Sequence, residues 1–506
     1  MSKRIMVDMS ATLIHHGHIR LLKKASEFGK VIVGLTTDEE ILSKKGYQVE
    51  LEFTHRKEIL EAIKYVDEVV GTPWQITDDI LDEFNIDLLV HGNDNSNDIK
   101  KNRLLILPRT QGVSSTEIRK KSFLIAGKVK RNILLNPGPA TTTDSVKYAQ
   151  IVPDICPRER EFGDLMEYVS NEITSIVANN KKYTAVLFGG SGTAAVESVL
   201  SSIIPHDKKV LIVNNGSYGK RMCQIAEAYD INYIEFQSSS IRPINLKKLK
   251  QVIRENEGIS HLAVIHNETT TGLLNNLNDL GVLAKMYDLE LIVDAMSSYA
   301  AIPINMENQN ISYLISSSNK NIQGMAGIGF VIVNKNNIEK IKNIKPRNFY
   351  LNLFSQYENF VKSHQMRFTP PVQTLYALKQ ALIESKLEGV EGKYKRYSKS
   401  WQLIVDALKE MDIEYLVEDK YHSKIITSIV IPCGVDFNQM HDFFFERGFT
   451  IYPGKIEDLN TFRVANIGEI DFKDIKIFIN LFKNYLTNFA HASINKKEPN
   501  IDWQGI

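Results

Sequence analysis

Val186-Leu187-Phe188-Gly189-Gly190-Ser191-Gly192-Thr193-Ala194-Ala195 runs from an apolar stretch through glycines into a helix-forming segment. A strand that turns directly into a helix aims free backbone N–H groups and a helix dipole at one point, which suits an anion. The turn therefore reads as a phosphate cradle. It matches neither a Walker loop nor a GxGxxG fingerprint, so by itself a simple tight turn fits equally well.

Working outward, apolar runs of strand length recur at Val210 to Val213, Leu262 to Ile265, Leu291 to Val293, Tyr313 to Ile315 and Phe330 to Val333, separated by helical patterns. This alternation predicts an α/β layer structure. After about Tyr376 long helices follow, then a strand from Ile425 to Ile431 and a closing helix from Phe478 to Phe489, which predict a small C-terminal α+β subdomain. Toward the N-terminus, Asn136-Pro137-Gly138-Pro139 opens the large region with strong breakers, preceded by the basic stretch Gly127-Lys128-Val129-Lys130-Arg131. Before that, from Arg4 to about Ala126, a smaller alternation includes Ile5 to Val7, a helix from Gly17 to Phe28, Val31 to Val33, a helix from Arg56 to Val66, Leu88 to Val90 and Leu104 to Leu107. The expected organisation is a small parallel α/β domain over 1–126, a linker over 127–131, a large α/β domain over 132–375, the small subdomain over 376–489 and a polar tail over 490–506.

Composition suits a soluble enzyme of more than one domain. In 506 residues, 61 basic side chains balance 60 acidic ones, so no bulk field favours nucleic acid or an anionic membrane, and any anion must be held locally. The three cysteines, Cys156, Cys223 and Cys433, are scattered and odd in number, which argues against a disulfide framework or a zinc cluster and for a reducing cytoplasm. The apolar run at the start is too short for a secretory signal, and no segment predicts a spanning helix.

Two polar residues in the large region stand where strands end. Asp294 closes Leu291-Ile292-Val293, at the edge where α/β sheets bind ligands, although taken alone an aspartate there reads better as a helix cap. Lys320 follows Tyr313-Leu314-Ile315-Ser316-Ser317-Ser318-Asn319. A lysine that condenses with a cofactor aldehyde needs an acid to keep a pyridine nitrogen protonated and an anchor for a phosphate. Asp294 and Ser191 to Thr193 supply those two parts.

Together with Asn136-Pro137-Gly138-Pro139, Gly190 to Thr193, Val293 to Ser298 and Ser318-Asn319-Lys320, the segments His266-Asn267-Glu268-Thr269-Thr270-Thr271-Gly272 and Phe462-Arg463-Val464-Ala465-Asn466-Ile467-Gly468 resemble the 2-aminoethylphosphonate transaminases, which are class V aminotransferases. The resemblance spans residues 132 to 488 and implies a fold type I aminotransferase dependent on pyridoxal 5′-phosphate. It implies that Lys320 binds the cofactor and moves the proton, that Asp294 pairs with the ring nitrogen, and that Ser191, Gly192 and Thr193 hold the phosphate. Thr369 would reach that phosphate from the neighbouring subunit, which makes a homodimer part of the expectation. Arg463 would take the substrate carboxylate. Arg158 is the candidate for the phosphonate, with Arg160 and Arg347 as alternatives. His266 to Thr269 would lie over the ring face, while a helix-leading turn suits Glu268 as well.

In the small N-terminal domain, Thr12-Leu13-Ile14-His15-His16-Gly17-His18-Ile19-Arg20 enters a helix after the first strand. Imidazoles at positions 15 and 18 beside a helix N-terminus suit charge developing on a triphosphate. A structural HxxH pair is the alternative, and zinc is disfavoured because the domain holds no cysteine. Arg109-Thr110-Gln111-Gly112-Val113-Ser114-Ser115-Thr116 precedes a second helix and offers further phosphate donors. With Thr54-His55-Arg56-Lys57 and Lys44, these segments resemble the cytidylyltransferases that include the glycerol-phosphate and choline-phosphate enzymes, over about the first 125 residues. The resemblance implies a Rossmann-like nucleotidyltransferase using CTP, with His15 and His18 catalytic and Ser10, Lys44, Arg56, Arg109, Ser114, Ser115 and Thr116 binding nucleotide or acceptor. The family usually carries an aspartate where this chain has Thr12, so Asp8 or Asp94 is the candidate ligand for Mg²⁺.

The two resemblances describe consecutive steps. Phosphonoacetaldehyde would be aminated, with the alanine/pyruvate couple, to 2-aminoethylphosphonate, whose phosphonate oxygen would then attack the α-phosphorus of CTP and expel pyrophosphate. The rivals are an N-terminal domain that senses nucleotide without turnover, and cytidylylation of phosphoethanolamine.

Overall fold

The computed structural model describes residues 2–45, 49–93, 95–108, 110, 115, 118, 131–454 and 459–489. Asp94, Arg109, Ser114, Thr116, most of the expected linker and the expected tail from 490 lie outside the described residues. The chain divides into two compact units, Met1–Lys130 and Arg131–Ile506.

In the first unit, β1 (Arg4–Met9), β2 (Lys30–Thr36), β3 (Glu68–Thr72), β4 (Leu88–Gly92) and β5 (Leu104–Leu107) form a sheet of order β3-β2-β1-β4-β5. Every pairing in it is parallel. Ile5, Met6, Val7, Val31, Ile32 and Val33 are fully buried, as expected of strands covered on both faces. Strand order reverses between β1 and β4, so the carboxyl end of β1 faces the crevice where such sheets bind ligands. The helices are α1 (His16–Ala25), α2 (Asp38–Lys45), α3 (Phe53–Glu61) and α4 (Asp78–Glu83). The helix expected over Arg56 to Val66 begins and ends earlier, because Phe53 packs inward and the chain must leave the helix in time to lay down β3.

Arg56 departs from its expected role. Its guanidinium is fully buried and its donors go to the carbonyl oxygens of Ser10, Thr36 and Leu51 and to the Asp38 carboxylate. A buried guanidinium must spend its hydrogens on the protein, so Arg56 pins the strand-to-helix loops instead of binding nucleotide. Arg56→Met is expected to destabilise this unit by about 3–5 kcal/mol, read as a lowered transition for the unit in calorimetry, because the carbonyls and Asp38 lose their buried partner. An unchanged transition would show that the pin carries no stability.

The second unit is built on a seven-stranded sheet of order β7-β15-β14-β13-β10-β8-β9. Its strands are β7 (Tyr183–Gly189), β8 (Lys209–Asn214), β9 (Tyr233–Gln237), β10 (Ile259–Ile265), β13 (Glu290–Asp294), β14 (Ile311–Ser317) and β15 (Ile328–Asn334). All pairs are parallel except those of β15 with β14 and β7. The helices α5 (Arg160–Ser175), α6 (Gly192–Ile203) and α7 (Ser217–Ala228) belong to this layer. Between β10 and β13, a short antiparallel pair, β11 (Asn267–Glu268) with β12 (Leu273–Leu274), makes a tight excursion. Long helices α8 (Val372–Glu388) and α9 (Val390–Glu410) lead to a three-stranded sheet of β16 (Ile426–Val430), β19 (Thr461–Ala465) and β18 (Tyr452–Pro453), closed by α10 (Phe437–Glu446) and α11 (Phe472–Phe489).

The small layer also takes the start of the unit, which the reading of 132–375 as one large domain did not anticipate. The strand β6 (Ile133–Leu134) pairs with β17 (Phe449–Thr450), and Ile133 and Leu135 pack among Phe444, Phe478 and Phe482. Burial of that short apolar run is what draws it there, each such side chain contributing roughly 1.5–3 kcal/mol. No helix among the described residues is long and apolar enough to cross a membrane.

Candidate active sites

In the second unit the sheet register sets the first contacts. Asp294 stands level with Ile265 on β10 and Ile315 on β14, at the carboxyl edge. Its Oδ1 accepts the Met296 N–H at 2.8 Å and so fixes the turn after β13, but no helix follows, so Asp294 is not the helix cap that the sequence also allowed. Burial pushes its carboxyl up to about 6, opposed by that hydrogen bond and by the positive charges of Lys320 and Arg221. Lys320 follows β14, and its Nζ donates to the Pro137 carbonyl at 2.6 Å. Gly138 has φ +136°, and a Cβ there would stand 2.3 Å from Nζ, so the Asn136-Pro137-Gly138-Pro139 turn wraps the lysine as only glycine permits. Beyond it, the Asn321 carbonyl takes the Nζ of the buried Lys393 at 2.8 Å, and Gln323 donates to the Tyr397 hydroxyl at 3.1 Å. These supports lie on α9, distant in sequence, and no local signal marks them.

Ser191 caps α6 with extended backbone but spends no side-chain bond on the cap, and it is exposed. His266 is buried, with Nδ1 2.9 Å from the Ser298 hydroxyl, and burial lowers it to about 3, so the ring is neutral. On α7, Tyr218 is stacked under Arg221 at 4.9 Å, and it senses Glu268, Arg463 and Asp294. The sequence signal missed here is Asn214-Asn215-Gly216-Ser217-Tyr218, a second strand-to-helix turn with glycine.

Arg463, on β19, is 1% exposed. Its Nε donates to the Pro453 carbonyl at 3.0 Å, while Nη1 is buried with no hydrogen-bond partner among the described residues. Thr369 is exposed in the loop before α8. The alternatives for a second cation come out differently. Arg158 donates to the carbonyls of Met366 at 2.7 Å and Arg367 at 3.3 Å and to Gln365, so it clamps the loop ahead of Thr369. Arg347 donates to the Ile204 carbonyl, and Arg160 is almost wholly exposed near Asp164.

Pyridoxal phosphate fits these groups. The Ser191 side chain spends no bond on the cap of α6, a buried carboxylate at Asp294 forms no ion pair among the described residues, and the Lys320 amine donates to the Pro137 carbonyl while its positive charge acts on Asp294. Ser191 to Thr193 would hold the phosphate and Asp294 the ring nitrogen.

In the first unit, His15 is the N-cap of α1. Its Nδ1 accepts the Gly17 N–H at 3.1 Å, and Nδ1 of His18 accepts the His15 N–H at 3.3 Å. The rings stack with centroids 3.9 Å apart. Because both Nδ1 atoms accept, each neutral ring carries its proton on Nε2, and the pair presents matched donors. Both line a cavity of about 830 Å³ with Asp8, Ser10, Thr12, Arg20, Lys23, Lys24, Trp74, His91, Asn97, Thr110 and Ser115 among its walls. Ser115 donates its hydroxyl to the Leu13 carbonyl at 3.0 Å. The basic row Arg20, Lys23, Lys24 was not singled out from sequence, although its spacing puts one helix face on the cavity. Lys44 is exposed on α2 and is not among the described lining residues. Asp8 accepts from Asn97 at 3.0 Å and stands 3.6 Å from the His91 ring. Among the described residues, no group of three or more carboxylate, imidazole or thiolate side chains is placed to hold a metal.

A lysine, a buried acid and an open helix start at the carboxyl edge of a seven-stranded sheet define the second unit as a cofactor-dependent aminotransferase. Residues 146–455 match the family described as "Aminotransferase class-V", and the chain belongs to that family. Residues 11–121 match the description "Cytidylyltransferase-like", so the chain is an enzyme that joins an aminotransferase to a cytidylyltransferase-like domain. It is 41% identical over 347 residues, covering 68% of this chain and 94% of the relative, to a 2-aminoethylphosphonate–pyruvate transaminase of Bacillus mycoides (strain KBAB4). It is 38% identical over 359 residues, 70% of this chain and 56% of the relative, to a bifunctional phosphonoacetaldehyde hydrolase/aminoethylphosphonate transaminase of Clostridioides difficile (strain 630). Among solved structures, an alanine–glyoxylate aminotransferase from Nostoc sp. shares the fold with a TM-score of 0.67 at 24% identity, over 71% of this chain and 96% of that one.

Proposed function

We propose that the chain makes 2-aminoethylphosphonate from phosphonoacetaldehyde, with the alanine/pyruvate couple as amino donor, and then transfers CMP to it from CTP with release of pyrophosphate. The observation that carries the first half is the buried, unpartnered Nη1 of Arg463, a cationic donor suited to an oxyanion, among the same groups that sense Asp294. Relatives named for 2-aminoethylphosphonate support that substrate.

Pyridoxal phosphate, when bound, supplies an aldehyde that condenses with the amine and a ring that withdraws electrons. Lys320 moves the proton at the substrate carbon bearing the amine, and Asp294 keeps a proton on the ring nitrogen. Ser191, Gly192 and Thr193 anchor the phosphate, with Thr369 contributed by the partner of a homodimer. Arg463 orients the substrate by its carboxylate or phosphonate.

For the second half, the phosphonate oxygen attacks the α-phosphorus of CTP, a new P–O bond forms, and the bond to the β-phosphate oxygen breaks. The Nε2 donors of His15 and His18 stabilise the charge that grows on the phosphates. Mg²⁺ would accompany the triphosphate, with Asp8 and Asp94 as candidate ligands; Arg109, Ser114, Ser115 and Thr116 would hold phosphates. Synthesis is favoured by the pairing of units: the Clostridioides relative joins its transaminase to a hydrolase named for phosphonoacetaldehyde, whereas here the partner is cytidylyltransferase-like. A cytoplasmic setting suits the pool of CTP.

Competing acceptors test the reading. With CTP and Mg²⁺, 2-aminoethylphosphonate is expected to exceed phosphoethanolamine, phosphocholine and glycerol phosphate in kcat/KM by at least about tenfold, a difference of ~1.4 kcal/mol in transition-state binding. Preference for phosphoethanolamine would replace the acceptor. Intact CTP bound without pyrophosphate release would make the first unit a sensor.

A further inference from the structure

Glu268, at the end of the short pair β11–β12, is wholly buried and half of its carboxylate is unspent. Oε1 accepts the Thr270 N–H at 3.0 Å and its hydroxyl at 2.6 Å, while Oε2 has no hydrogen-bond partner among the described residues. The backbone ahead of α7 lies against it, since a Cβ on Gly216 would stand 2.6 Å from Glu268 Cδ. Next to that glycine, Asn215 keeps both side-chain polar atoms buried without partners. Arg463 senses Glu268 electrostatically and leaves Nη1 unpartnered, yet among the described residues the two opposite charges form no ion pair.

Buried opposite charges that do not meet, each with an unsatisfied atom, are costly unless something completes both. The substrates of the proposed transamination set the requirement. One anion is a carboxylate with a single charge, the other a phosphonate with up to two, and one guanidinium must serve both.

We propose that Glu268 adjusts the charge of the oxyanion site: it is ionised when a carboxylate occupies Arg463, and takes up a proton, donating it from Oε2, when a doubly charged phosphonate does. This rests on the reading of Arg463 as the oxyanion donor. The proton comes from solvent, no bond within the substrate breaks, and nothing is oxidised or reduced.

The surroundings favour that uptake. Desolvation pushes the Glu268 carboxyl up to about 7; its hydrogen bonds from Thr270 oppose this, Asp294 at the end of β13 adds to it, and Arg463 on β19 counters it. Tyr218 on α7 is a further titratable group coupled to it.

Titration calorimetry of the cofactor-loaded enzyme at pH 8, in two buffers of different ionisation enthalpy, reads the uptake with methylphosphonate and propionate as unreactive probes. Native enzyme should take up about one proton with methylphosphonate and none with propionate, and Glu268→Gln should take up none with either while keeping the cofactor's absorbance. No uptake in native enzyme overturns the proposal, as does uptake that persists in Glu268→Gln, which would put the proton on the ligand. Arg463→Met separates the underlying reading: undiminished binding of both probes there would remove Arg463 as the donor, and the proposal with it.

Discussion

Lys320→Ala is expected to reduce transamination by on the order of 10⁴-fold or more while pyrophosphate release from CTP stays within about twofold of native. The loss is large because the proposed mechanism gives one amine two duties, holding the cofactor aldehyde and carrying the proton, with no second lysine placed for either. Lys393 is a buried lysine near the turn, but its Nζ is committed to the Asn321 carbonyl and the Ser385 hydroxyl, at 2.8 and 3.0 Å. Burial lowers Lys393 to about 8, so it would be partly neutral near the working pH, yet its hydrogen bonds direct it at the backbone that supports Lys320. The measurement is a pair of assays on one preparation: transamination of 2-aminoethylphosphonate with pyruvate, and pyrophosphate release with CTP and added acceptor. Loss of both activities would contradict independent chemistry in the two units.

His18→Ala is expected to do the reverse, lowering pyrophosphate release by about 10²–10³-fold, the size seen when one aligned donor to a developing anion is removed. His18 is a cleaner probe than His15. The His15 ring caps α1 through the Gly17 N–H, so His15→Ala would also cost the helix about 1 kcal/mol, whereas the bond that His18 accepts is the longer of the two. Equal thermal unfolding of native and His18→Ala enzyme, with transamination unchanged, would assign the loss to the Nε2 donor. Retained pyrophosphate release would show the stacked pair to be structural, the alternative its spacing always allowed.

The linear order of residues carried much of this. Strands were legible because Val, Ile and Leu cluster in runs that burial on both faces requires, and Leu291 to Val293 and Leu262 to Val264 are indeed wholly inside. The grouping of Ser191 to Thr193, Asp294 and Lys320 was legible because each stands at or just past the end of a strand, and strands running the same way end on one edge. Charge assignments were less secure. Arg56 and Arg158 read as ligand cations, yet one is buried on four protein acceptors and the other clamps a loop. A guanidinium can satisfy carbonyls or a phosphate with the same hydrogens, and only the position of the carbonyls decides between them.

By itself, then, the sequence determined two α/β units, the placement of Ser191 to Thr193, Asp294 and Lys320 at strand ends and the paired imidazoles at the start of a helix, because strand burial, helix termini and residue chemistry are local properties. Tertiary structure alone decided that β6 joins the small layer, that α9 reaches back through Lys393 and Tyr397 to support the turn of Lys320, and that Glu268 and Arg463 come within electrostatic reach with no ion pair between them among the described residues. Those outcomes depend on which distant groups close packing leaves in contact and which polar atoms it leaves unsatisfied, and neither is a property of any one segment.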